Sequence, residues 1–208
     1  MPGMKRRAWL ALATGAPFAG ALLARDTRGV TRTRAGGFGA GYFPNVVLRT
    51  HENEPVRFYD DLLKDKVVVI NFMYATCEGI CPTVVSNLLQ VQRILGERVG
   101  RDIFMYSVTL KPKEDTPEVL RRYAQMHGAQ PGWLFLTGRP PDIELIRRKL
   151  GAVDLDPAVD ANTLSHIGLI RYGNETLERW AACAGQTKPA WIARSILSVG
   201  VTGDAEGW

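Results

Sequence analysis

From Lys66 to Tyr74 the chain reads KVVVINFMY, an almost unbroken β-branched and apolar run. A strand that faced water on one side would alternate polar and apolar residues. A run without alternation fits a strand covered on both faces, as in the parallel part of an α/β sheet. It leads directly into TCEGICP, where Cys77 and Cys81 lie four apart and Pro82 follows. Proline suits the first turn of a helix, and Val84, Leu88, Val91 and Leu95 then recur at helical spacing within Thr83 to Gly100. The constraint is therefore a buried strand, a pair of cysteines and a helix, in that order.

The rest of the chain repeats this grammar. NVVLRTHENEPVRFYD alternates about a polar turn at His51–Glu54 and predicts a hairpin. Asp102–Leu110 (DIFMYSVTL) predicts a second buried strand. DTPEVLRRYAQMHG predicts a helix with Thr116 as N-cap, Pro117 in the first turn and Gly128 as C-cap. GWLFLTG reads as a short strand and PPDIELIRRKLG as a helix ending at Gly151. SHIGLIRYGNETLERWAAC reads as a hairpin turning at Gly173-Asn174, and KPAWIARSILSVG as a closing helix. Strands alternating with helices predict an α/β fold with a central mixed sheet flanked by helices. At 46% hydrophobic residues the chain has enough apolar side chains for one core.

The net charge of +5 is unevenly placed. Lys5, Arg6, Arg7, Arg25, Arg28, Arg32 and Arg34 stand against Asp26 alone in the first 34 residues, so the remainder is close to neutral. A nucleic-acid binder carries its basic patch on the folded domain, which excludes that class here. MKRR precedes the charge-free run Ala8–Ala24, the layout of a secretory signal. Arg6-Arg7 adds a partial twin-arginine pattern, and ~17 residues is also the short limit for a membrane anchor. The expected organisation is a signal peptide or anchor at 1–24, a Gly- and Arg-rich flexible linker at 25–42 and a domain at 43–208. The domain is expected to be exported, facing a bacterial periplasm.

Cysteines at a helix N-terminus are biased toward thiolate by the macrodipole and the free N–H groups. Thiolate attacks disulfides and binds soft metals, so three uses stay open: structural disulfide, redox pair or metal ligands. A disulfide closing so short a loop restricts the unfolded chain little, which makes the first use the weakest. A transition metal would need a further ligand, and the chain has three histidines. His51 falls in the polar turn and reads as an exposed turn residue. His127 sits at a helix C-terminus, where imidazole suits the dipole. His166 opens an apolar strand after a loop, and serves equally as a ligand or as a satisfied strand-end histidine. Cys183, the odd cysteine, follows a strand and reads as a small buried side chain, with a resolving or intermolecular thiol as the alternative.

FPNVVLRTHENEPVRFYDDLLKDKVVVINFMYATCEGICP, with DTPEVLRRYAQMHG and the later His166, resembles the Sco/SenC family of copper-binding, thioredoxin-like proteins over Phe43 to about Ser198. The resemblance implies a thioredoxin-like fold and one copper ion per chain, held as Cu(I) or Cu(II) by Cys77, Cys81 and His166. It implies a role in assembling the CuA centre of cytochrome c oxidase. The expected partners are the CuA-bearing subunit and another copper carrier. Three positions depart from the family pattern: Ser165 where an acidic residue often precedes the histidine, Lys111-Pro112 where Asp-Pro is frequent, and Glu78 where many members carry Asp.

Two thiolates and an imidazole are soft enough for Cu(I), and the same thiols can close to a Cys77–Cys81 disulfide. Two functions follow. The first is a non-enzymatic metallochaperone. The second is a thiol–disulfide oxidoreductase with Cys77 as nucleophile and Cys81 as resolving thiol. A peroxidase on the same scaffold is a third and weaker reading.

Overall fold

In a computed structural model of the chain, the structure describes residues 41–160 and 168–200. The expected signal or anchor at 1–24, nearly all of the linker at 25–42, and His166 lie outside the described residues.

The expected strands form one seven-stranded mixed sheet in the order β2-β1-β5-β4-β3-β6-β7. β3 (Val67–Met73), β4 (Ile103–Thr109) and β5 (Trp133–Thr137) run parallel at its centre. Six of the seven β3 residues are buried, as an unalternating apolar strand requires. β1 (Val47–Thr50) and β2 (Pro55–Arg57) form the first hairpin and add antiparallel to β5. Pro55 opens the short edge strand, where its missing N–H is tolerated. β6 (Leu169–Asn174) pairs antiparallel with β3 and with β7 (Arg179–Ala184) at the other edge.

Side-chain alternation along the central strands makes two cores. Val69, Met73, Ile103, Met105, Trp133 and Phe135 pack with α1 (Cys81–Leu95), α2 (Pro117–His127) and the closing helix. Val68, Ile70, Phe72, Tyr106, Val108 and Leu136 pack on the other face with Phe58, Leu62 and Leu63 of a π-helical turn. Ile143 and Ile146 of α3 (Pro140–Lys149) complete this second core. Across the first face runs a buried polar line: Trp133 Nε1 donates to Ser107 Oγ at 2.9 Å, which donates to Asn71 Oδ1 at 2.7 Å. A one-turn helix α4 (Pro157–Asp160) and the closing helix α5 (Pro189–Gly200) finish the described chain. No helix among the described residues is long and apolar enough to cross a membrane.

The capping expectations for α2 hold in detail. Thr116 Oγ1 accepts from the Val119 N–H at 3.3 Å, and Gly128 adopts the left-handed conformation at φ 73°. Three readings need correction. The second hairpin turns at Glu175–Glu178, not at Gly173-Asn174, which belong to β6. Gly173 is required inside the strand because a Cβ there would collide with the Trp180 indole of β7. Asn174 instead closes the turn by accepting from the Leu177 N–H at 3.1 Å. His51 is not an exposed turn residue: it is half-buried, and its Nδ1 accepts the Phe135 N–H at 3.2 Å. Cys183 lies within β7, half-buried against the first core, and does not follow the strand.

Candidate metal and thiol site

The predicted juxtaposition of strand, cysteines and helix is present. β3 stops at Met73, residues 74–80 form a short connection, and α1 begins at Cys81, with Pro82 in its first turn. Pro82 thus stands in the first turn, as expected, and Cys81 is the first residue of the helix. No side chain of Ile80, the N-cap, closes this helix end. The sulfur of Cys77 takes that place, accepting from the backbone N–H groups of Cys81 and Gly79. Both thiols are free, and both are buried, Cys77 at 8% and Cys81 at 1% exposure.

The two sulfurs differ in proton affinity although they are hydrogen-bonded to each other. Burial works to raise the Cys77 pKa, but it is outweighed by the bonds from the Cys81 thiol, from the Cys81 and Gly79 N–H groups and from Tyr74. The net direction is down. For Cys81 burial dominates, the bond to Cys77 adds to it, and its pKa is pushed up to about 12. The dithiol thus loses its first proton at Cys77 and keeps the second at Cys81. A thiolate at the helix terminus beside a protonated, more deeply buried thiol is an arrangement that can attack a disulfide or take up a soft metal ion.

Several further residues surround this pair, among them Asp115, Tyr74 and Tyr123, which the sequence did not single out. Asp115, 1% exposed, accepts from the Ala75 N–H at 3.1 Å and from the Thr109 hydroxyl, tying the connection before Cys77 to β4 and to the start of α2. Burial raises the pKa of its carboxyl, and its Oδ1 has no hydrogen-bond partner among the described residues. Lys111 places its ammonium 4.5 Å from the centre of the Tyr74 ring. Lys111 is one of the departures from the family pattern, so that departure has a local use. Tyr123 of α2 is buried, and its pKa is raised by burial first and then by Cys81, Cys77 and Asp115, which places all three near it. The His127 ring lies tilted against Tyr123, with ring centres 4.3 Å apart.

Among the described residues no group of three His, Cys, Asp or Glu side chains could hold a metal ion. Cys77 and Cys81 supply two soft donors, and a third must come from elsewhere. Burial of the Cys183 thiol raises its pKa, in contrast to Cys77.

A dithiol at the N-terminus of the helix that follows a central parallel strand places this protein among the thioredoxin-like thiol and metal proteins. The SCO1/SenC family model matches residues 47–194, and the chain belongs to that family. It is 33% identical over 92 residues to a SCO2-like protein of Rickettsia prowazekii, a match covering 44% of this chain and 43% of the relative. The chain thus spans less than half the length of the first curated relatives it matches. The structure of ScoI from Bradyrhizobium japonicum with copper bound superposes with a TM-score of 0.59 at 22% identity, covering 74% of this chain and 96% of that one. BsSco, described with a disulfide switch and as a member of the Sco family of cytochrome c oxidase assembly proteins, gives 0.57 at 21% identity, covering 74% and 90%. The fold is thioredoxin-like, as the resemblance implied.

Proposed function

We propose that this protein is a copper-binding assembly factor that uses Cys77, Cys81 and His166 as ligands and takes copper as cargo. The observation that carries the reading is the Cys77 sulfur seated on the uncapped N-terminus of α1, hydrogen-bonded to Cys81. Thiolate is the ligand form of cysteine, and soft sulfur donors favour Cu(I). One copper ion per chain is expected, delivered to the CuA-bearing subunit of cytochrome c oxidase from another carrier. The sequence supports an exported, periplasm-facing domain with residues 1–24 as signal or anchor.

A second reading has its own support. The separation of the two thiol pKa values suits a thiol–disulfide oxidoreductase in which Cys77 attacks and Cys81 resolves. Such a protein would prepare the thiols of the CuA site without carrying the metal. One variant separates the readings. Copper stoichiometry measured anaerobically should fall from one per chain to near zero in Cys77→Ala and Cys81→Ala, and fall steeply in His166→Ala. If His166→Ala keeps all its copper, the three-ligand site is wrong. If it loses copper yet still reduces a disulfide substrate at the wild-type rate, the thiol activity stands apart from the metal.

A further inference from the structure

α1 and α5 lie side by side over the first core, and the outward surface of the pair has no role in the thiol site. Asn87 of α1 donates to the Gly185 and Thr187 carbonyls just before α5, at 2.8 and 3.3 Å. Further along, Ile94, Ala190, Trp191, Ala193, Arg194 and Leu197 line an open groove of about 460 Å³. Trp191 is 60% exposed and Ile94 51% exposed, two of the few large apolar side chains left in water. The small side chains of Ala190 and Ala193 leave the groove open.

Arg194 lines the groove, Arg93 stands next to Ile94 and Lys188 two positions before Ala190, with Glu97 the acidic residue three positions after Ile94. The sequence has no Asp or Glu from Gly79 to Gly96, nor from Arg179 to Gly203. Arg93, Lys188 and Arg194, all exposed, have no acidic partner among the described residues. Other arginines pair with carboxylates, as Arg57 with Asp60, Arg98 with Asp102, Arg122 with Glu118 and Arg148 with Glu144, or donate to backbone carbonyls, as Arg121 and Arg171 do. This face thus combines an apolar groove, an exposed indole and three cations with no acidic partner among the described residues.

We infer that the α1–α5 face is a docking surface for an anionic lipid bilayer. The groove accepts apolar lipid, and Trp191 takes the position that indoles favour at a membrane–water boundary. Arg93, Lys188 and Arg194 meet the lipid phosphates. Helices satisfy their backbone groups internally, so this face offers an extended peptide no strand edge to pair with. Cys81 opens α1 and Ile94 lies 13 residues on, roughly 20 Å along the axis at 1.5 Å per residue. Docking at the groove therefore leaves the thiols clear of the lipid. This inference does not depend on the copper reading.

The test uses the full chain and vesicles carrying brominated acyl chains, which quench nearby indoles. The Trp191 signal is isolated by subtracting the fluorescence of Trp191→Phe, so the behaviour of the N-terminal segment drops out. The expected result is quenching of the Trp191 component by phosphatidylglycerol-rich vesicles and not by phosphatidylcholine alone. Arg93→Gln and Arg194→Gln should each weaken it about fivefold, the equivalent of about 1 kcal/mol per basic residue, with unchanged thermal melting. Equal quenching by both lipids, or none by either, overturns the inference. Protection of Trp191 by a soluble acidic polypeptide, with no quenching by vesicles, assigns the face to a protein partner and overturns it equally.

Discussion

One side chain that holds the connection before the thiols in place lies outside the cysteine pair. Asp115 joins the backbone two residues before Cys77 to Thr109 at the end of β4, and it does so from inside the core. Removing a buried acceptor strands its donors, at a typical cost of about 1–3 kcal/mol. Asp115→Ala should therefore lower the unfolding free energy by about that amount in urea denaturation. Asp115→Asn, which keeps an acceptor oxygen, should lose much less. The sign at different pH values follows from the raised carboxyl pKa. The unfolded chain ionises first, so Asp115 contributes most below its unfolded value of 3.8, and that contribution is lost as pH rises through its higher folded value. None of this was legible in the sequence. Asp115 reads there as part of a polar helix entry, and its partner Ala75 stands forty positions earlier. Tyr74 and Tyr123 were hidden for the same reason, since their positions near the sulfurs arise only when β3, α1 and α2 meet.

Elements, by contrast, could be read with little loss. β3 was apparent from its unalternating run and α2 from Thr116, Pro117 and Gly128, because these signals are local. The second hairpin was misplaced because Gly173-Asn174 carries a turn signal that tertiary packing overrides: the indole of Trp180 occupies the space where a side chain would stand. The π-helical turn at Phe58–Leu63 gave no periodic signal over its six residues. His166, on which the proposed ligand set depends, was legible only as a strand-opening histidine, and the structure describes β6 from Leu169. A tighter element-scale constraint lies between the connections that lead into β4 and β5. Gly100 and Gly132 cross with φ of 88° and 89°, and a Cβ on Gly132 would sit 2.5 Å from the Gly100 nitrogen. Gly132→Ala combines a disfavoured conformation with a backbone clash, and should cost more than about 2 kcal/mol. Its melting temperature should drop while the Gly128→Ala variant, with open space around its Cβ, drops less.

Over the whole molecule, acid should weaken the fold through two histidines far from the thiols in sequence. Burial lowers the pKa of His51, opposed by Glu52 and assisted by Arg121, and burial alone lowers that of His127. The unfolded chain therefore takes up these protons first, near its value of 6.5. Their contribution is complete above pH 6.5 and declines as pH falls from there toward the lower folded values. His51 has a direct reason: its Nδ1 must stay unprotonated to accept from Phe135. Denaturation midpoints measured from pH 7.5 down to 5 should fall, and His51→Gln should flatten part of that slope. The central parallel strands bring a last consequence. Cys77 and Cys81 belong to the same buried cluster as Leu88, Leu120, Phe135 and Ile192, which draws on three helices and the sheet. Whatever happens at the sulfurs is therefore felt by the largest apolar assembly in the domain. Calorimetry thus becomes a gauge of occupancy: an ion gripped only by the native form shifts the heat-absorption peak upward by mass action, without a label or a chromophore.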